Sequence, residues 1–149
     1  MDLLRNALST AGLQARPDAP DPAAELPNPH TSPWVARLRE LGGDVPRDGT
    51  MPQLLARTGA RAKELRGQGR ARDAQDLERV RDHFVAEREK KAWTLVKSRF
   101  AELQLAEKAY RAVKQEGGDP EKILARLHTK KAESLRGASA ERVRDALLG

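Results

Sequence analysis

Apolar residues along this chain recur in steps of three and four and nowhere alternate over a strand-length run, so every element the pattern predicts is a helix. At the start, Leu3, Leu4, Ala7, Leu8 and Leu13 fall at helical spacing within residues 2–15. A helix that short persists only if it docks on something. Six of the nine prolines follow within seventeen residues: Pro17, Pro20, Pro22, Pro27, Pro29 and Pro33. Their fixed φ and missing donors predict an extended, semi-rigid linker over residues 17–33, which makes residues 1–16 a tethered amphipathic helix.

The helical pattern resumes with Trp34, Val35, Leu38 and Leu41 on one face and stops at Gly42-Gly43. Thr50 then stands as an N-cap, with Pro52 in the first turn and Gln53 placed to complete a capping box. Leu54, Leu55, Ala62 and Leu65 carry that helix to Gly67 and Gly69. Between Arg72 and Gly117 there is no Gly or Pro, and strong helix formers predict one helix of about 43 residues, roughly 65 Å long. Its stripe runs Leu77, Val80 and Phe84, then Trp93, Val96, Phe100, Leu103, Ala106, Tyr110 and Val113, a spacing that suits a coiled-coil or bundle seam. Glu87-Arg88-Glu89-Lys90-Lys91 interrupts it, marking either an exposed stretch or a change of packing partner. Gly117-Gly118-Asp119-Pro120 combines a helix stop with a helix start. Ile123, Leu124, Leu127 and Leu135 then fold back as an antiparallel hairpin. Ser139 caps a last helix that carries Val143, Ala146 and Leu147. The expected fold is all-α: a helix-loop-helix head over residues 34–72, then over 73–149 a long helix folded back as a coiled-coil-like C-terminal hairpin.

Composition narrows the picture. Hydrophobic residues make up 38% of the chain, charged residues 34% and aromatics 3%, so narrow apolar stripes between charged faces are expected rather than one large core. Lys and Arg number 28 against 22 Asp and Glu, a net charge of +6 that favours polyanions, chiefly nucleic acid. Residues 16–33 hold Asp18, Asp21 and Glu25 against Arg16 alone, so the helical remainder is more basic still. The absence of cysteine excludes disulfides, thiolate catalysis and thiolate metal sites. No apolar run approaches the roughly 18 residues of a membrane span, and the first residues lack a leader pattern, so a cytoplasmic setting without membrane attachment is expected.

Catalytic chemistry finds no constellation. His30, His83 and His128 are scattered without carboxylates at ligand spacing, and no phosphate-cradling or nucleophile motif occurs. Asp73/Asp76 and Glu87/Glu89 sit among basic neighbours on helices and are expected to form solvated ion pairs rather than acid/base pairs. No enzyme activity, metal or cofactor is expected. The basic clusters say more. Arg57, Arg61, Lys63, Arg66, Arg70 and Arg72 stand against Glu64 alone, and Arg57 and Arg61 lie one turn apart, able to face one phosphate strand. Arginine's planar fork suits phosphate well. A second cluster, Arg88, Lys90, Lys91, Lys97 and Arg99, overlaps the gap in the apolar stripe and flanks Trp93; this is compatible with phosphate contact plus a stacking aromatic, but the seam spacing of Trp93 favours a core position.

Residues 34–58, WVARLRELGGDVPRDGTMPQLLART, place a helix, a loop with Pro-x-x-Gly-Thr and a second helix with a Leu-Leu pair in sequence. This order resembles the SAP-type helix-extended-loop-helix module, on framework positions Leu38, Leu41, Val45, Gly49, Thr50, Leu54 and Leu55. The resemblance implies DNA contact by the loop and second helix through Arg47, Arg57 and Arg61. Met51 departs from the lysine common at that step.

The expected function is therefore that of a nucleic-acid-binding accessory protein, for DNA more than RNA, driven by phosphate contacts and largely indifferent to sequence, as in replication, packaging, plasmid transfer or nucleoid organisation. Its surface would comprise Arg47, Arg57, Arg61, Lys63, Arg66, Arg70 and Arg72, with Lys90 and Lys91. The alternative is a protein–protein adaptor, a homodimer or a clasp on another helical protein, packing through Trp93, Val96, Phe100, Leu103, Tyr110 and Val113.

Overall fold

A computed structural model describes residues 22–149. The helix expected over 2–15 and the linker up to residue 21 lie outside them. Among the described residues the chain is all-α, with helices α1 (Pro33–Glu40), α2 (Met51–Gly67), α3 (Ala71–Glu102), α4 (Glu107–Gln115), α5 (Pro120–Leu127) and α6 (Ala140–Leu148). Short 3-10 turns occupy Pro22–Glu25, Pro29–Thr31 and Lys130–Leu135. None of these helices is long and apolar enough to cross a membrane.

The helix starts follow from side chains that accept otherwise orphaned N–H groups. The Val35 N–H donates to Ser32 Oγ at 3.2 Å, and the Arg142 N–H to Ser139 Oγ at 3.2 Å. At α2 both arms of the capping box form: the Gln53 N–H donates to Thr50 Oγ1 at 3.4 Å, and the Thr50 N–H to Gln53 Oε1 at 2.8 Å.

Two expectations are corrected. The single helix expected from Arg72 to Gly117 is two, because α3 ends at Glu102 and Gln104 adopts φ 57°. The Leu105 N–H donates to Phe100 O at 2.9 Å and the Gln104 N–H to Ala101 O at 3.1 Å, which is a Schellman ending. The physical reason is burial: on a continuous helix Leu103 and Leu105 would face opposite sides, whereas after the turn both lie in the same core. The second correction concerns the prolines. Residues 22–31 are not an extended linker but two docked 3-10 turns, with Leu26 and Pro29 buried. Ala23 packs against the C-terminal core, while the Pro29–Thr31 turn leads through the Ser32 cap into α1.

There are two cores on one stem. The head core gathers Trp34, Val35, Leu38 and Leu41, Leu54, Ala62 and Leu65 from α2, and Ala74 and Leu77 from α3, with Val80 and Phe84 against it. The module boundary expected at residue 72 thus runs through this core. The second core gathers Val96 and Phe100 of α3, Leu103 and Leu105 of the turn, Ala109 and Val113 of α4, Ile123, Leu124 and Leu127 of α5, and Val143 and Leu147 of α6. Helix α5 folds back on α3 as expected, while α4 and α6 enlarge the hairpin into a small bundle. Between the cores no residue from Val85 to Lys91 is buried. The interruption in the apolar stripe is the point where α3 exchanges one packing partner for another.

Candidate nucleic-acid interface

In the head, most of the expected phosphate-binding arginines are already engaged within the chain. Arg57 forms an ion pair with Asp44. The Arg61 Nε–H donates to Leu41 O at 2.6 Å and its Nη1 lies 3.3 Å from Glu64, so it satisfies a carbonyl at the end of α1, where the helix dipole favours a cation. Arg66 grips Glu78 with two bonds of 2.9 and 2.5 Å, and Arg70 pairs with Asp73 at 2.9 Å. Arg37 joins α1 to α3 through Asp76 at 2.9 Å, where Arg79 also bonds. The bonds from Arg79 and then Arg37 hold the Asp76 carboxyl below the usual carboxylate range, and the Arg66 bonds do the same for Glu78. Arg37 and Arg66 are correspondingly raised, chiefly by their bonds to Asp76 and Glu78. Arg47, Lys63 and Arg72 are exposed and have no ion-pair or hydrogen-bond partner among the described residues. Of the expected head surface, three cations are therefore unpaired among the described residues.

The second basic cluster divides by residue type. The Arg88 side chain is only 13% exposed and bonds bidentately to Glu121 at 3.1 and 3.0 Å, as well as to Pro27 O. Arg99 turns to Leu127 O at 3.4 Å and Glu102 at 3.1 Å. The two arginines tie the fold together. The lysines do not: Lys90, Lys91 and Lys97 are exposed, without an ion pair to any described residue.

Lys90 and Lys97 frame an open groove of about 520 Å³ between α3 and α4. Lys90, Trp93, Thr94 and Lys97 recur in steps of three and four on one face of α3, and Tyr110 and Lys114 complete the lining from α4, one turn apart. Trp93 and Tyr110 are half-buried and rest on the C-terminal core. Their rings meet edge to face, with centroids 5.9 Å apart at 86°, and Tyr110 is braced by Phe100 at 5.6 Å. The Lys114 ammonium lies 5.7 Å from the Trp93 centroid and 5.9 Å from that of Tyr110. Three lysines stand against Glu89 alone in this lining. A base stacked on an aromatic ring is worth about 1–3 kcal/mol, against about 0.5–1 kcal/mol for a cation over an exposed ring. An incoming planar ring can therefore displace Lys114 and gain it as a charge partner.

The residues expected to mediate packing separate accordingly. Val96, Phe100, Leu103 and Val113 are buried by the chain's own helices, which withdraws them from any second copy. Trp93 and Tyr110 keep part of their surface in the groove. Lys114 was not legible as a site residue. Its spacing from Tyr110 is plain in the sequence, but the register that brings both beside Trp93 depends on the turn at Gln104, which no Gly or Pro announces. Among the described residues no three His, Asp or Glu side chains gather to hold a metal ion. The His30 Nε2 lies 2.8 Å from Gly49 O, which uses that ring to hold the loop before α2.

Comparison with protein-family models, with curated proteins and with solved structures finds no match to this chain.

Proposed function

We propose that this chain is a nucleic-acid-binding accessory protein that holds DNA mainly through its phosphates. One observation carries the reading. Lys90, Lys97 and Lys114, none of them ion-paired to a described residue, converge on two half-exposed aromatic rings in one groove. Lysines that stabilised the fold would be expected to meet carboxylates, as the neighbouring arginines do. Supporting it are the net charge of +6 and the exposed Lys91, which follows Lys90 on α3 and has no ion pair to a described residue. Arg47, Lys63 and Arg72 give the head a lesser phosphate surface, on a helix, extended loop and helix in the order of a SAP-type module.

The adaptor reading has less support, since four of the six seam residues it relied on, Val96, Phe100, Leu103 and Val113, are buried internally. Leu55, at 37% exposure, is the one large apolar side chain exposed among the described residues, and protein docking surfaces are generally larger apolar patches.

Phosphate-driven binding releases counterions, so affinity should fall with salt by a log–log slope of about −0.7 to −0.9 for each phosphate neutralised. Fluorescence anisotropy of a labelled oligonucleotide, titrated with the full chain at two salt concentrations, checks this. Weakening with salt is expected. Failure to bind single strands or duplex at low salt would sink the proposal.

A further inference from the structure

Resting on that reading, we infer that the groove between α3 and α4 is a single-strand site, taking one unstacked base against Trp93 and Tyr110 and its flanking phosphates on Lys90, Lys97 and Lys114.

The geometry of the lining selects the ligand. Two rings at 86° form a corner with one aromatic wall along each side. A flat heterocycle can lie on one wall with its edge against the other. In a duplex both faces of every base are covered by neighbouring pairs, so the aromatic corner offers a duplex nothing beyond its lysines; a single strand can turn a base into it. The spacing of the charges argues for a strand rather than a free nucleotide. Lys90 and Lys97 are two helical turns apart, about 10 Å along the axis of α3, and Lys114 stands across the groove on α4. Charges spread along and across the groove in this way match successive phosphates of a backbone better than a single one. An acidic peptide could satisfy the lysines but would leave both rings without a role.

The test uses the full chain and short labelled probes: an oligothymidylate, the matching oligouridylate, and a hairpin duplex of the same length. Tryptophan emission is recorded alongside anisotropy. Trp34 is wholly buried in the head, so quenching on binding reports Trp93. Both single strands are expected to quench and to bind about tenfold more tightly than the duplex, the scale of one stacked base. The Lys97→Glu, Lys114→Glu double variant changes only exposed side chains. It should lose about tenfold or more in single-strand affinity, with a melting curve displaced only by the loss of the Lys114 ring contacts, and Trp93→Phe should retain more affinity than Trp93→Leu.

Duplex binding equal to or tighter than single-strand binding overturns the inference. So does strand binding without quenching, or binding undiminished in the lysine variant; either leaves phosphate-driven binding standing elsewhere on the surface. Displacement of the strand by polyglutamate as effectively as by unlabelled strand reduces the groove to a general anion site and also overturns it. Absence of binding to every probe removes the functional proposal along with it.

Discussion

Gln104 does at one position what glycine does elsewhere in this chain. Helices α1 and α2 and helix α4 end in the same bonding pattern around Gly42, Gly69 and Gly117, whereas α3 ends it on a residue with a side chain at φ 57°. The left-handed conformation costs a residue with a Cβ on the order of 1 kcal/mol, held here by the burial of Phe100, Leu103 and Leu105. Gln104→Gly should therefore raise stability by about 0.5–1 kcal/mol and Gln104→Val lower it, both read from urea midpoints. Thr58 is a second case. It is buried in the head, accepts the Trp34 indole N–H at 2.9 Å and donates to Leu54 O at 2.8 Å. Thr58→Val keeps the shape and strands that indole, so a loss of about 1–3 kcal/mol is expected in the same measurement, and Thr58→Ser should recover much of it. Neither role is legible in sequence. Gln104 lies inside a run of helix formers and Thr58 among polar and small residues in the sequence, and only the packing around them assigns the work.

At the level of elements, α3 is the member both halves share, and Arg88 fixes what lies across its middle. By bonding Glu121 of α5 and the Pro27 carbonyl, it clamps the N-terminal turns and the hairpin to the bare segment between the cores. Arg88→Met should cost about 1.5–3 kcal/mol, the range for bonds to a charged group. It should also speed hydrogen exchange at the Leu26, Thr31 and Ser32 amides, whose bonds close those turns. The other inter-element ties are acid-sensitive. Asp76 holds α3 to α1 through Arg37, and Glu78 holds it to α2 through Arg66. Both carboxyls titrate below their ordinary range in the folded chain, so the folded state binds fewer protons than the unfolded one as pH falls through that range. Their stabilising effect is complete above the ordinary carboxylate pKa of about 4 and is lost as pH falls through the folded values. Urea midpoints should decline below about pH 4, and the decline should flatten in the Asp76→Asn, Glu78→Gln variant.

For the whole molecule, two small cores on one stem replace the single large core that the composition does not support. Each contains fully buried leucines, Leu77 in the head and Leu124 in the hairpin, and truncating either to Ala should cost about 2–5 kcal/mol. Because few buried contacts join the cores, Leu124→Ala should accelerate amide exchange mainly in α4, α5 and α6 and leave α1 and α2 protected under native conditions. Uniform acceleration across both halves would show that the stem couples them into one cooperative unit. The candidate groove likewise depends on the whole fold, since it exists only where α4 is laid back along the second half of α3.

The class of the elements and most of their ends are written in the sequence. Helical spacing, the Thr50-Gln53 capping box, the stops at Gly42, Gly69 and Gly117 and the restart at Asp119-Pro120 are local chemistry, resolved within a turn or two of backbone. It also exposed the gap between Val85 and Ala92, because a missing apolar stripe is visible in one dimension. Three-dimensional packing decided the rest. It split the long helix at Gln104, where burying Leu103 and Leu105 together outweighs the strain of one residue, and it drew the prolines of residues 22–31 into docked turns. It also sorted the basic residues, which look alike along the chain. Arginines that met carboxylates or helix-end carbonyls across elements became ties, and lysines that met none were left around Trp93 and Tyr110. Charge and periodicity name the residues able to bind; which of them remain free depends on what folds against each one.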